Sequence, residues 1–267
     1  MSIALHGLTA PKKDAAVSSL ISVLMPLYNP NVALLKEAVK SVEHGGYSQY
    51  EIVVYDRDQS LGAPDGLRYL PEYEEIQFDN VKARFRYFTG PDNSPISGVN
   101  NCISRAKSYI FHFFCADDLM YPGALRLVNN VFQGRKEEPF WIYGRTVLID
   151  EKGARLSVSG GPFTYEDMLI HNRIGTNAVF WNRKMMDVAG VFDEKYRFAA
   201  DYDLWLRMWK VRPPVFVDYE FGAFRRHPEQ TSTRETASVV NEAFTVSDKH
   251  LAAYRQAGFL MPPEWEL

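Results

Sequence analysis

An α/β architecture, with a central mixed and mostly parallel sheet flanked by helices, follows from three features of this 267-residue chain. Nearly continuous apolar runs of strand length recur along its first half, the pattern of strands buried on both faces in parallel sheets. Stretches of helical periodicity alternate with them, at separations that suit right-handed βαβ units. Polar residues of chemical interest then fall just past the carboxyl ends of those runs, where open α/β sheets bind their ligands.

The first run, Leu20 to Leu27, is apolar at nearly every position and ends at Pro26, Asn29 and Pro30. Asn31 is placed to cap a helix that carries Val32, Leu35, Val39 and Val42 at helical spacing and closes at Gly45-Gly46. Glu51 to Tyr55 is the second buried strand and ends at Asp56, which completes a βαβ unit. Phe85 to Phe88 gives a third strand, followed by a helix near Gly98 to Lys107. Tyr109 to Cys115 gives a fourth, ending at Asp117-Asp118, and Pro122 stands as a first-turn proline of a helix through Val131.

After Glu138 the pattern changes. Phe140 to Ile149 suggests a strand pair, partly closed by Glu151-Lys152-Gly153. Ala178 to Trp181 and Val215 to Val217 read as strands, Tyr202 to Trp209 as a helix, and Glu242 to Arg255 as a last amphipathic helix. With no repeat and no linker, the expected organisation is a flexible segment 1–17 and one domain over 18–267. That domain divides into a ligand-binding half at 18–138, a second half at 139–235, and a C-terminal helix and tail at 236–267.

Composition narrows the function. Hydrophobic residues at 46% and charged residues at 24% suit a packed soluble globule, and 14% aromatic residues suit a large core. A formal charge of −3 offers no electrostatic basis for tracking phosphates, so no nucleic-acid partner is expected. Cys102 and Cys115 match neither a metal spacing nor a disulfide framework, which points to a reducing compartment. The N-terminus lacks the features of a secretory signal, and the apolar stretch near Tyr109 to Ala116 falls far short of the roughly 20 residues that span a bilayer. The expectation is a cytoplasmic protein without a transmembrane segment. There is no Gly-x-Gly-x-x-Gly and no Walker loop, which disfavours dinucleotide enzymes and P-loop ATPases.

Three acidic positions remain. Asp56, at a strand end, either forms its own turn or accepts a hydrogen bond from a base or a ribose. Asp117 and Asp118, adjacent after a buried strand, repel one another unless donors or a cation lie between them. A hard divalent ion shared with a diphosphate would supply that charge, while a helix-entry turn is the plainer reading. Asp201-Tyr-Asp203 opens an apolar helix, where one carboxylate serves as N-cap or as a general base. Phe224-Arg-Arg-His227 adds positive charge after a strand.

Taken together these segments resemble the inverting glycosyltransferase family 2, of GT-A fold, from about Ile21 to Ser232. Ile21 to Asn29 is similar to the family's opening strand with its Pro-x-Tyr-Asn ending, and Glu51 to Asp56 to its second strand. Asn100-Asn-Cys-Ile-Ser-Arg-Ala106 resembles its Asn-bearing helix, and Phe113-Phe-Cys-Ala-Asp-Asp118 a degenerate Asp-x-Asp motif. Gly190-Val-Phe-Asp-Glu194 followed by Ala200-Asp-Tyr-Asp-Leu-Trp-Leu-Arg207 is the strongest match, and Arg225 to Ser232 resembles the segment that closes over the donor diphosphate.

The resemblance implies a GT-A type, Rossmann-like nucleotide-binding fold and transfer of a hexose-type sugar from a nucleotide-sugar donor, UDP before other bases. It implies Asp201 as catalytic base. Pro26, Tyr28, Asn29, Asp56, Asn100, Asp117 and Arg226 would contact the donor, and Asp118 with His227 would hold Mn2+ or Mg2+. The acceptor would be a saccharide or a lipid-linked saccharide in polysaccharide assembly, with Trp141, Tyr143 and Trp181 either stacking on sugar rings or packing in the core, and Trp205 expected in the core. Phe259, Leu260 and Trp265 would either make peripheral contact with the inner face of a membrane that holds the acceptor or finish the core. Departures from the family pattern are Cys115 in place of the motif's first acid, Arg57-Asp58-Gln59-Ser60 after Asp56, and Ser97-Gly-Val ahead of Asn100. Two alternatives stand beside this reading: a glycan- or nucleotide-binding relative that has lost turnover, and a sugar nucleotidyltransferase, which would carry a Gly-rich basic loop after the first strand. The sequence leaves oligomeric state open.

Overall fold

The computed structural model describes residues 20–57, 74–78 and 81–258. The expected flexible segment 1–17, the turn at 58–60 and the C-terminal Phe259, Leu260 and Trp265 lie outside the described residues. In chain order the elements begin with β1 (Ile21–Leu27), α1 (Val32–Glu43), β2 (Tyr50–Arg57), β3 (Glu74–Phe78), β4 (Val81–Gly90), α2 (Pro95–Arg105), β5 (Ile110–Phe113), β6 (Leu119–Met120) and α3 (Ala124–Phe132). Then come β7 (Trp141–Ile149), β8 (Arg155–Ser159), α4 (Tyr165–Ile170), a 3-10 turn (Thr176–Ala178), β9 (Val179–Asn182) and α5 (Arg183–Ala189). The chain continues with α6 (Ala200–Val211), β10 (Val215–Arg225), α7 (Thr231–Arg234) and α8 (Thr236–Gln256).

Among the described residues ten strands form one mixed sheet in the order β3-β4-β2-β1-β5-β9-β7-β10-β6, with β8 paired to β7. β4, β2, β1 and β5 run parallel. β9 enters antiparallel to both β5 and β7, so β7 and its parallel neighbour β10 point the same way as β1. The carboxyl ends of β1, β2, β4, β5, β7 and β10 therefore share one edge, and β9 starts there.

β1 is central because its residues have cover on both faces: Ile21, Val23, Leu24 and Met25 are fully buried. Its register with β2 sets Leu27 beside Asp56, so Asn29 and Asp56 emerge side by side. Asn31 caps α1 as its position demands, its Oδ1 accepting the N–H groups of Ala33 and Leu34 at 3.0 and 3.3 Å. Leu35, Ala38, Val39 and Val42 form the buried face, while Val32, expected in that stripe, is 42% exposed.

Several expectations are corrected. Residues 140–149 form one strand, not a pair; its partner β8 follows a turn in which Asp150 Oδ1 accepts from Lys152 and Ala154 N–H and Gly153 takes φ +86°. Pro122 does not open α3, because Gly123 intervenes at φ +86° and donates its N–H to Gly45 O at 3.1 Å. The strand beginning at Val215 runs on to Arg225 through Asp218 and Glu220, whose charges pair with Arg145 and Arg155 at the surface. Trp141, Trp181 and Trp205 are fully buried and Tyr143 is 2% exposed, so these rings do not stack on sugars. They pack on one another between the sheet and α6, with Trp141 stacked on Trp205 at 6.0 Å and Trp181 edge-on to Trp205 at 5.6 Å. Among the described residues no helix is long and apolar enough to cross a membrane.

Gly222 lies where β10 meets β6 and the 3-10 turn. A Cβ there would stand 2.8 Å from Asn177 O and 2.9 Å from Leu119 O, both backbone atoms with little room to yield. Gly222→Ala is expected to cost about 1–3 kcal/mol, read as a lower urea midpoint with an unchanged m value.

Candidate active site

At the shared edge, the β1–β2 register builds the first part of the site. Tyr28 is 64% exposed, and the Arg57 guanidinium sits 5.0 Å from its ring centroid. Arg57 also pairs with Asp92 at 3.5 Å. Asn29 adopts φ +43°, a left-handed turn that Asn tolerates better than most residues. Asp56 is buried, and Tyr87 donates its hydroxyl to Asp56 Oδ2 at 2.6 Å. Pro26 supports the N-terminal turn of α2, which approaches so closely that a Cβ on Gly98 would lie 2.9 Å from Pro26 Cβ. Pro26, Tyr28, Asn29 and Asp56 are thus neighbours.

Asn100 faces elsewhere. Its Nδ2 donates to Phe192 O at 2.9 Å and Glu194 Oε1 at 3.0 Å, while its Oδ1 accepts from Phe192 N–H at 3.2 Å. The side chain is a clamp from α2 onto the turn that leads into α6.

The second part of the site forms where the chain leaves β5 and pairs as β6 with β10. The antiparallel register sets Ala223 beside Leu119, which brings Asp118 against Arg225. Arg225 N–H donates to Asp118 Oδ1 at 3.1 Å. The Arg225 guanidinium, 2% exposed, reaches Asp117 O at 2.9 Å, Glu151 O at 3.0 Å and Glu37 Oε2 at 2.7 Å. Two residues on, His227 Nε2 lies 3.0 Å from Asp117 Oδ2. Alternation along the chain turns Arg225 inward and Arg226 outward; Arg226 is exposed, with its N–H on Ile149 O. Sequence reasoning singled out Arg226 from this doublet and missed the anchoring role of Arg225. The length of β10 is the signal that would have separated them.

Burial, then the negative charge of Asp117, pushes the Asp118 carboxyl well above the usual range, against the hydrogen bond and charge of Arg225. Burial, then Asp118, Asp117 and Asp201, keeps the Cys115 thiol protonated. Asp201 shares the sheet edge with the acidic pair through Thr176, which donates to it from the 3-10 turn leading into β9, the strand that starts at that edge.

Asp201 stands in the first turn of α6, half-buried, its Oδ2 accepting from Thr176 Oγ1 at 2.7 Å and Asn172 Nδ2 at 3.4 Å. Burial raises its carboxyl pKa against those hydrogen bonds. Asp203 points the other way, as residues two apart on a helix do. It is fully buried, and although burial opposes ionisation, hydrogen bonds from His250, Lys249 and Arg207 hold its carboxyl well below the ordinary range. Asp203 is therefore the structural member of the doublet and Asp201 the one open to chemistry.

Among the described residues no three His, Cys, Asp or Glu side chains are grouped to hold a metal by themselves. The oxygen-rich pair with one imidazole nearby fits instead a hard divalent cation that completes its shell with phosphate oxygens and water. The predicted metal pair is rearranged: His227 meets Asp117, and Asp118 backs onto Arg225.

Arg225→Met should cost about 3 kcal/mol in denaturant unfolding, since it strands buried carbonyl acceptors as well as removing a buried charge. Arg226→Met should stay within about 0.5 kcal/mol.

The sequence pattern of "Glycosyl transferase family 2" matches residues 22–137. An "Uncharacterized glycosyltransferase" of Rickettsia felis is 27% identical over 234 residues, covering 84% of this chain and 37% of that protein. The chain thus spans little more than a third of that relative's length. A "PGL/p-HBAD biosynthesis glycosyltransferase" of Mycobacterium bovis is 23% identical over 203 residues, covering 75% of this chain and 73% of that protein. The crystal structure of S. aureus TarS 1-349 in complex with UDP superposes with TM-score 0.55 at 15% identity, covering 90% of this chain and 72% of that one. Its complex with UDP-GlcNAc gives 0.57 at 14% identity, covering 80% and 60%. The family pattern lies on the part of the sheet that carries Asn29, Asp56 and Asp117-Asp118, so residues 22–137 carry the sequence pattern of glycosyl transferase family 2 and the fold around them is of GT-A type.

Proposed function

We propose that this glycosyltransferase moves a hexose-type sugar from a UDP-sugar to a saccharide or lipid-linked acceptor, with a divalent metal and inversion at the anomeric carbon. The observation that carries the reading is that Asp117, Asp118 and Asp201 stand at one sheet edge, held by His227, Arg225 and Thr176, with the exposed Tyr28 at the end of β1 on the same edge. The UDP and UDP-GlcNAc bound to TarS support the choice of donor.

In this reading Tyr28 and Asn29 seat the nucleoside over Asp56, and Asp117, Asp118 and His227 would hold Mn2+ or Mg2+. The metal, when bound, would neutralise charge that develops on the leaving diphosphate. Asp201 accepts the proton of the acceptor hydroxyl as that oxygen bonds to the anomeric carbon from the face opposite the leaving diphosphate. The bond from that carbon to the diphosphate oxygen breaks, and its electron pair leaves with UDP. Thr176 and Asn172 aim the Asp201 carboxylate, and partial burial makes it a stronger base than a solvated aspartate. Arg225 holds the acidic pair in place from behind.

Calorimetric titration of UDP, TDP and GDP, with and without Mn2+, tests the donor site. The expected result is Mn2+-dependent binding of UDP that Asp118→Ala abolishes; no nucleotide binding under any condition would overturn the reading. Binding without turnover would instead place the chain with relatives that have lost catalysis.

Asp201→Asn should lower kcat by about 10²–10⁴-fold while leaving the UDP Kd unchanged. Because burial raises the Asp201 pKa, its basic form is lost as pH falls through a value above the ordinary Asp range of about 3.9. The acid limb of kcat at saturating donor should therefore lie above that range and vanish in the variant.

A further inference from the structure

The start of α6 has no cap of its own. Ala199 holds the N-cap position at φ −110° and ψ 21°, and its methyl group cannot accept the N–H groups that a helix start leaves free. Those just ahead of it are taken by a residue more than forty positions later. Glu242 Oε1 accepts from Arg197 N–H at 2.9 Å, and Glu242 Oε2 accepts from Ala199 N–H at 2.6 Å and from Phe198 N–H. One carboxylate thus gathers three successive amides of the turn two residues before Asp201.

The helix that carries Glu242 is built to hold this position. Glu242, Val246, His250 and Tyr254 recur every four residues along α8 and so share a face. Val246 enters the core, His250 Nε2 lies 2.9 Å from Asp203 on α6, and Tyr254 donates to Glu166 Oε1 on α4 at 2.6 Å. Ser247 donates to Leu169 O at 2.6 Å, and Arg197 pairs with Glu235 at 2.9 Å just ahead of α8. From the other side, Asn172 and Thr176 hold the Asp201 carboxylate itself.

We propose that Glu242 is a positioning residue for Asp201, setting from α8 the turn that fixes where the base stands at the head of α6. The proposal rests on the reading of Asp201 as base. UDP would bind on β1, β2 and β5, away from this turn, so Glu242 governs the chemical step and not donor affinity.

The test uses the full chain with Mn2+ and UDP-GlcNAc, reading UDP release as kcat and KM, with UDP Kd from calorimetry and folding from circular dichroism. Glu242→Ala should lower kcat by about 30–100-fold, the scale of a small misplacement of a reacting group. KM and the UDP Kd should stay within about twofold of wild type. Glu242→Gln, which keeps an acceptor oxygen but makes weaker bonds, should recover to within about tenfold of wild type. If Glu242→Ala fails to fold, Glu242→Gln alone carries the test through its own split between kcat and KM. Tyr254→Phe frees another α8 contact without touching the turn and should keep wild-type kcat.

Three results overturn the proposal: a folded Glu242→Ala with kcat within threefold of wild type, a parallel loss of UDP affinity, or an equal loss in Tyr254→Phe. Wild-type turnover by Asp201→Asn would sink the base reading first. An inactive Asp201→Asn beside a fully active Glu242→Ala would sink only the role of Glu242.

Discussion

A guanidinium with almost no contact with water organises the acidic edge of this protein. Arg225 reaches α1 through Glu37, the segment after β5 through Asp117 O, and the turn between β7 and β8 through Glu151 O, while its own backbone N–H meets Asp118. A buried charge is costly unless its hydrogen bonds are met, and the planar fork of arginine meets several acceptors at once. Three segments far apart in the chain are thereby held around one group, and two adjacent carboxylates are kept at the edge despite their repulsion.

The rest of the site depends on how the two halves of the sheet are joined. β9 runs against both β5 and β7, which lets one sheet continue from the first half of the chain into the second while the β7 and β10 ends still point to the same edge. Asn100 bridges from α2 to the turn before α6, and α8 ties α4 to α6. Asp201 therefore stands in a frame fixed from both halves.

Much of the first half was legible in the chain because local rules and tertiary demands agree there. A strand buried on both faces is apolar along most of its length, so β1, β2 and β5 announce themselves, and Asn31 caps the helix it precedes. The second half was less legible because its strands are amphipathic or exposed. β8 is exposed along its whole length, and β10 carries Asp218 and Glu220 at positions paired with arginines, which hides its continuity in the sequence. The tryptophans stayed open between two readings for a related reason: an aromatic ring reads the same in a core and in a sugar site, and only the packing of α6 on the sheet tells which it is.

The same division holds for the candidate site. The sequence alone placed Asn29, Asp56, Asp117-Asp118 and Asp201 at the ends of elements, because turn chemistry and apolar periodicity mark those ends. Position in the chain did not show that Asp203 is buried on His250, Lys249 and Arg207, that Arg225 and not Arg226 turns inward, or that His227 meets Asp117. Those distinctions depend on which way a side chain faces once β6 pairs with β10 and α8 packs on α6. Contacts between residues tens to more than a hundred positions apart leave no local trace, so the chain determined where the chemistry is concentrated, and long-range packing decided which residue in each pair faces it.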